Sequence, residues 1–224
     1  MALSRRIGRA LTAKLTRVSL DRFVEAHAST GRTLDIGAQN GPYAGFFPNR
    51  IALEIRPGPG VQIIGDAQAL GVADGVFDVV LCTEVLEHLR EPQRAIDEMF
   101  RVLKPGGTLL LTTRFLFPIH DAPNDYFRFT KYGLRHLLRN FDILELQEET
   151  DSIGAIAVLL QRLGMQARTL GPSASRGVWL VTARLVRPFG FLISQEYGDS
   201  RRLTPEQGIM TSGYHVACRK RTTR

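Results

Sequence analysis

Cysteine is nearly absent: Cys82 and Cys218 are the only two in 224 residues. Neither sits in a Cys-x-x-Cys or Cys/His pattern. That argues against a disulfide framework and a structural zinc site, and predicts reduced, buried thiols in a cytoplasmic protein. No metal is expected. No apolar run approaches the roughly 20 residues needed to span a bilayer. The basic start, Met1 to Arg6, is broken by Arg9, Lys14 and Arg17 rather than followed by an apolar core, so it does not read as a secretory signal. Internal repeats and low-complexity segments are missing. So is the interleaving of aromatic and basic residues that builds an RNA platform, and nucleic acid is not an expected partner.

What is present is an uneven charge. The net value of +7 divides into +5 over residues 1–32, −6 over 33–161 and +8 over 162–224. An acidic middle between basic flanks predicts a central domain with its own task. The flanks read either as solvated faces or as contacts with an anionic surface, such as the inner face of a membrane.

The central stretch alternates strand and helix patterns. Leu3, Ile7, Leu11, Leu15, Val18 and Phe23 predict a basic amphipathic helix over 3–28. Strands are predicted at 32–37, 50–55, 61–64, 76–82, 108–113, 141–148 and 213–218. A short helix is expected at 42–47, a longer one at 91–103 with Pro92 in its first turn, and another at 131–139 capped by Thr130. Lys104-Pro105-Gly106-Gly107 reads as a sharp helix stop. Such βα alternation with short loops gives a mostly parallel sheet covered on both faces. Residues 1–30 form the N-terminal helix, 31–151 with 211–220 the central domain, and 152–210 a helical insert, either a cap or membrane-facing. Trp179 and Phe189–Phe191 read as packing within that insert.

Ligands of such sheets bind beyond the carboxyl ends of the strands. Asp35, Glu54, Asp66 and Glu84 all fall at or near such ends. Gly37 and Gly41 follow the first strand, where a side chain would obstruct a tight turn. An irregular stretch, 115–128, supplies His120, Asp125, Tyr126 and Arg128. Arg128 would hold an anionic group or pair with Asp121 or Asp125.

Leu34-Asp35-Ile36-Gly37 with Gly41, then Gly65-Asp66-Ala67, Phe77-Asp78-Val79-Val80, Glu84 to Leu89, and Leu103 to Gly107 follow one another in an order and spacing that resemble the class I S-adenosylmethionine-dependent methyltransferases, of the methyltransferase type 11-like kind. More loosely, Pro118 to Thr130 resembles a subgroup associated with glycan or lipid biosynthesis. The resemblance implies a Rossmann-like seven-stranded sheet whose last strand is antiparallel. It implies S-adenosyl-L-methionine as cofactor: Gly37 and Gly41 admitting its methionine and sugar, Asp35 meeting its amino end, Glu54 the ribose hydroxyls, and Asp66 with Ala67 the adenine. The family's usual middle glycine of the turn is Gln39 here.

The activity so implied is methyl transfer to a small-molecule or lipid- or glycan-linked acceptor. If that acceptor is a phenol, alcohol or amine, its proton needs a taker. Glu84, Glu87, His88, His120 and Asp125 are candidates, with His120 and Glu84 put first as catalytic and Asp125, Tyr126 and Arg128 as substrate contacts. His88 reads more simply as satisfying local hydrogen bonds. Two alternatives stay open: a cofactor-binding scaffold without catalysis, and an NAD-type oxidoreductase. Against the latter stand the imperfect glycine pattern and the lack of a Tyr-x-x-x-Lys pair. The sequence leaves the oligomeric state open.

Overall fold

The computed structural model describes residues 11–38, 41–166 and 174–222. Gln39 lies outside them. The chain divides into two compact units, one of Leu20–Phe115, Ile119–Gln147 and Tyr214–Arg224, the other of Met1–Ser19, Leu116–Pro118 and Glu148–Gly213.

The strands are β1 (Thr33–Ile36), β2 (Arg50–Glu54), β3 (Ile63–Ile64), β4 (Phe77–Thr83), β5 (Leu103–Arg114), β6 (Phe141–Glu148), β7 (Tyr197–Asp199), β8 (Thr204–Pro205) and β9 (Gly213–Lys220). Seven of them form one sheet in the order β3-β2-β1-β4-β5-β9-β6, while β7 and β8 pair separately. The sheet is mostly parallel with one antiparallel strand. Leu34 lies between Ile51 and Val80, and Val80 pairs in turn with Leu109.

Strand alternation sends side chains to two faces. Leu34, Ile36, Val80, Cys82, Leu109 and Leu111 pack on one face with Ala95, Ile96, Met99 and Val102 of helix Pro92–Val102. Val79, Leu81, Leu110 and Ala217 pack on the other with Leu20, Phe23 and Val24 of helix Arg17–Ala26, and with Tyr43 and Phe47. In chain order these two helices are α1 and α2. Each fully buried large side chain contributes about 1.5–3 kcal/mol. Both cysteines are free and buried, and burial raises their thiol pKa. Helix α3 (Lys131–Leu137) is capped as expected, the Thr130 hydroxyl accepting from Gly133 N at 3.1 Å.

Three expectations are corrected. The stretch 42–47 forms successive turns rather than a helix. Gly41, at φ 61°, and Pro48 bound too few residues to repay helix nucleation. Helix α2 ends at Val102, as Lys104-Pro105-Gly106-Gly107 predicts, but the strand expected from 108 already starts at Leu103 and takes this stretch in as a bulge: Leu103 pairs with Phe77 and Thr108 already with Val79. The helix expected over 3–28 is interrupted at 13–16. There Leu15 N donates to Gln161 Oε1 at 3.1 Å, and the Ala13 carbonyl accepts from Gln161 Nε2 at 2.9 Å and Arg184 Nη2 at 2.7 Å. Side chains have taken backbone groups that a continuous helix would pair internally.

In the second unit, α4 (Ser152–Gln166) starts at Asp151, whose Oδ1 accepts from Gly154 N at 2.5 Å. Helix α5 (Ala174–Val186) runs into a 3-10 turn over Arg187–Leu192. This unit holds a buried polar cluster: Ser212 Oγ donates to Glu149 Oε2 at 2.6 Å and Ser212 N to Thr150 Oγ1 at 3.1 Å. A cavity of about 400 Å³ within this unit is lined by Ile156, Ile193, Glu196, Tyr197 and Met210 among others. Phe189 and Phe191 are exposed, 49% and 77%, so the expected packing role is corrected for them. Among the described residues no helix is long and apolar enough to cross a membrane.

Candidate functional site

The parallel register brings the carboxyl ends of β1, β2 and β3 to one edge, with Ile36 beside Leu53 and Glu54 beside Ile64. The turns that follow are tied to the neighbouring strand. Gly37 N donates to Leu53 O at 2.9 Å, and Gly65 N to Glu54 O at 2.9 Å. Gly37 has φ 73°, and a Cβ there would stand 2.2 Å from Val85 Cγ2. Both the conformation and the space therefore demand glycine. Gly37→Ala is expected to cost about 2–4 kcal/mol, a fall of roughly 5–15 °C in melting temperature. Adding Val85→Ala should restore part of it. An unchanged melting temperature would contradict the contact.

Asp35 is almost wholly buried, and its Oδ2 accepts from Arg50 Nη1 at 2.6 Å. Burial is the main influence and pushes its carboxyl up to about 6, with Arg50 pulling the other way and the nearby Glu54 charge adding to the rise. Arg50 also lies beneath the second glycine: a Cβ on Gly41 would meet its Nη2 at 2.5 Å. Asp35 and Arg50 thus brace the turn from below. Glu54 is partly buried at the end of β2. Asp66 Oδ1 accepts from Gln68 N at 2.8 Å and Nε2 at 3.0 Å, an Asx turn that presents buried Ala67. Gln68 Oε1 in turn accepts from Glu91 N at 2.7 Å.

A second group gathers beyond β4 and β5. Glu84 holds the left-handed conformation, φ 57°, and is ion-paired with buried Arg114. Glu87 is fully buried, and its Oε2 accepts from Thr113 Oγ1 at 2.8 Å. The loop leading to α3 is tied to the same residues: Tyr126 N and Phe127 N both donate to Glu87 O, at 2.9 and 3.2 Å, and Phe129 N to Arg114 O at 3.0 Å. This brings His120 to His88, ring centroids 4.7 Å apart. His88 Nδ1 is 2.7 Å from Asn124 O, 36 residues further along the chain. His120 Nδ1 is 3.1 Å from Asp125 Oδ2. Arg128 grips both oxygens of Asp125, Nη2 to Oδ2 at 2.8 Å, and this pairing holds the Asp125 carboxyl far below the usual carboxylate range. Tyr126 OH accepts from Arg90 Nε at 2.9 Å.

The first group therefore unites Gly37, Glu54, Asp66 and Ala67 along one sheet edge, with Asp35 beneath. The second joins His120 to His88 and Asp125, and Asp125 to Arg128, while Glu84 is held on Arg114. Arg50, Gln68, Thr113 and Arg114 were missed in the sequence. Arg50 had a signal, since as the residue opening β2 it lies one pleat from Asp35 across the β1–β2 pair.

Residues 34–111 match the methyltransferase-domain family. A demethylmenaquinone methyltransferase from Renibacterium salmoninarum is 38% identical over 94 residues, 36% of this chain and 40% of that protein. The chain spans less than half the length of the first curated relatives it matches. Among solved structures, the [4+2]-cyclase SpnF aligns with a TM-score of 0.59 at 18% identity, covering 93% of this chain and 82% of that one. A 1,6-didemethyltoxoflavin-N1-methyltransferase from Burkholderia thailandensis, with bound S-adenosylhomocysteine, aligns at 0.54 and 15% identity, covering 99% and 85%. The family match thus covers residues 34–111, about a third of the chain, and the likeness to the solved structures is one of fold.

Proposed function

We propose that the protein uses S-adenosyl-L-methionine to methylate a small-molecule acceptor, free or carried on a lipid or glycan. The observation that carries this is the edge formed by Gly37, Glu54, Asp66 and Ala67: a turn that admits no side chain, beside a carboxylate at the end of β2. When bound, the cofactor would supply a methyl group already activated on a sulfonium. Glu54 accepts both ribose hydroxyls, since a carboxylate has only acceptor sites. Gly37 and Gly41 make room for the methionine and sugar, and Asp66 with Ala67 faces the adenine. Asp35, committed to Arg50, positions the turn and adds negative potential toward the cofactor's cationic end. On the acceptor side His120 makes the polar contact, its ring oriented by Asp125, and Asp125 in turn by Arg128. Glu84 is held by Arg114 and lines the same side, and Tyr126 closes the loop. The relatives named as quinone-pathway methyltransferases support a small-molecule acceptor.

Calorimetry with S-adenosylhomocysteine tests the reading. One site per chain in the micromolar range is expected, with no heat from NADH. Absence of binding would overturn it. Binding without methyl transfer to any quinol or lipid-linked acceptor would favour the scaffold.

The second unit carries an apolar surface that suits peripheral attachment. Val178, Val181 and Leu185 share one face of α5, followed by exposed Phe189, Phe191 and Leu192 with Arg187 among them. We assign this surface to an anionic lipid interface. The chain should float with phosphatidylglycerol vesicles, and Phe191→Asp with Leu192→Asp should leave it in the soluble fraction. Failure of the unaltered chain to float would end this assignment.

A further inference from the structure

We propose that Glu87, His88 and His120 form a binding site for a divalent first-row transition-metal ion. A carboxylate oxygen of Glu87 and one ring nitrogen from each histidine lie within 4.8 Å of one another. The geometry assigns which atoms these are. Glu87 Oε2 is taken by the Thr113 hydroxyl, whereas Oε1 is buried and, among the described residues, has no hydrogen-bond partner. A buried polar atom left so is costly and calls for an explanation. His88 Nδ1 meets the Asn124 carbonyl and His120 Nδ1 faces the Asp125 carboxylate. The His88 contact selects the tautomer with the proton on Nδ1 and the lone pair on Nε2, and the Asp125 carboxylate 3.1 Å from His120 Nδ1 favours the same tautomer there electrostatically. Outer partners of this kind orient metal-ligating imidazoles.

The surrounding charges point the same way. Arg114 is paired with Glu84, and Arg128 with Asp125. The carboxylate of Glu87 is the one left for a cation. Two imidazoles and one carboxylate suit zinc, iron, cobalt or manganese better than magnesium or calcium, which favour oxygen ligands throughout. Metal–ligand bonds of about 2.0–2.2 Å draw the three donors in from their present spacing. Three protein ligands leave at least one coordination position open. That position lies beyond β4 and β5, where the acceptor-side residues gather, so with a cation in place the contact of His120 to the acceptor passes through it.

The sequence spacing hid this site. Glu87 and His88 are adjacent, and the third ligand comes 32 residues later in a loop without a recognisable ligand pattern. The expectation of no metal thus rested on cysteine patterns alone.

Cobalt titration of the tag-free, chelator-stripped chain is the test. Cobalt gives visible d–d bands when bound by nitrogen and oxygen ligands. One equivalent per chain is expected, displaced by zinc. His120→Ala and Glu87→Gln should each weaken binding at least about 100-fold. Asp125→Asn, one step removed, should cost about 10–100-fold. Exposed His136→Ala should change nothing. Thermal melts of the metal-free variants show whether each is folded. Should Glu87→Gln fail to fold, His120→Ala, altered in a loop, still decides. Absence of any band beyond those of free aqueous cobalt, or binding by both ligand variants as tight as that of the unaltered chain, would overturn the site. Calorimetry with S-adenosylhomocysteine on the stripped chain separates failure here from failure of the methyltransferase reading.

Discussion

Glu54→Ala is expected to weaken S-adenosylhomocysteine binding by about 30- to 700-fold while leaving the fold intact. The side chain sits at the end of β2, partly exposed, so its removal leaves no core cavity. What it would forfeit is a pair of hydrogen bonds from ribose hydroxyls to a charged acceptor. Such bonds are worth roughly 1.5–3 kcal/mol each before losses, and a combined 2–4 kcal/mol translates into that range of affinity. Glu54→Gln should fall between, because an amide retains one acceptor oxygen. Calorimetry with circular dichroism alongside checks both. Alanine binding as tightly as glutamate would remove Glu54 from the cofactor site and leave the sheet edge without its main anchor.

Arg50→Met is expected to lower stability by about 3–5 kcal/mol, as removal of one partner strands the other as an uncompensated buried charge. The Asp35 carboxylate is the group left behind, 2% exposed. The loss should depend on pH. Asp35 has a folded pKa of about 6 against an ordinary 3.8. A raised folded value means that the native state holds the proton more readily between those limits. The ionised carboxylate therefore weighs against folding above about pH 6 and is relieved as pH falls toward 4. Without Arg50 the folded pKa climbs further, and relief begins at higher pH. Urea denaturation should show the variant's deficit larger at pH 8 than at pH 5.5. Equal deficits at both would contradict the buried pair. Arg50→Met with Asp35→Asn should recover much of the loss, since both charges are then gone.

The two groups of site residues differ in how far the sequence reveals them. The first lies on strand ends, and strand ends are legible. Apolar runs mark β1 and β4, and the acid or glycine that closes each run sits where the parallel register places it. Asp35, Glu54 and Asp66 needed only the assumption that neighbouring strands start level, which a parallel sheet with short βα loops enforces. The second group needed a loop path. Nothing in 115–130 states that Tyr126 N and Phe127 N will both bond the Glu87 carbonyl, yet that anchoring is what carries His120 to His88. The pairing of Arg128 with Asp125 was one of two open choices, settled by which carboxylate the loop turned inward.

Failures of local reading share a cause. The 3–28 helix had the right periodicity, but Gln161 and Arg184, 148 and 171 residues away, claim its backbone groups at residue 13. Lys104 to Gly107 does stop the helix, at Val102, but β4 offered a partner on both sides of it and the strand started early and closed around it as a bulge. Phe189 and Phe191 were read as packing because aromatic residues usually bury, and the second unit leaves them outside.

The sequence by itself determined the strands of a mostly parallel sheet and the acids at their ends, because strand pattern and loop length are local properties that leave few ways to assemble βα units, while the antiparallel last strand was implied by the family resemblance. Only the tertiary structure decided how those acids are held: Asp35 on Arg50, Glu84 on Arg114, and Glu87 on Thr113 with two histidines close by. Hydrogen-bond partners of buried charges are chosen by proximity in three dimensions, and a chain does not write that proximity into its spacing.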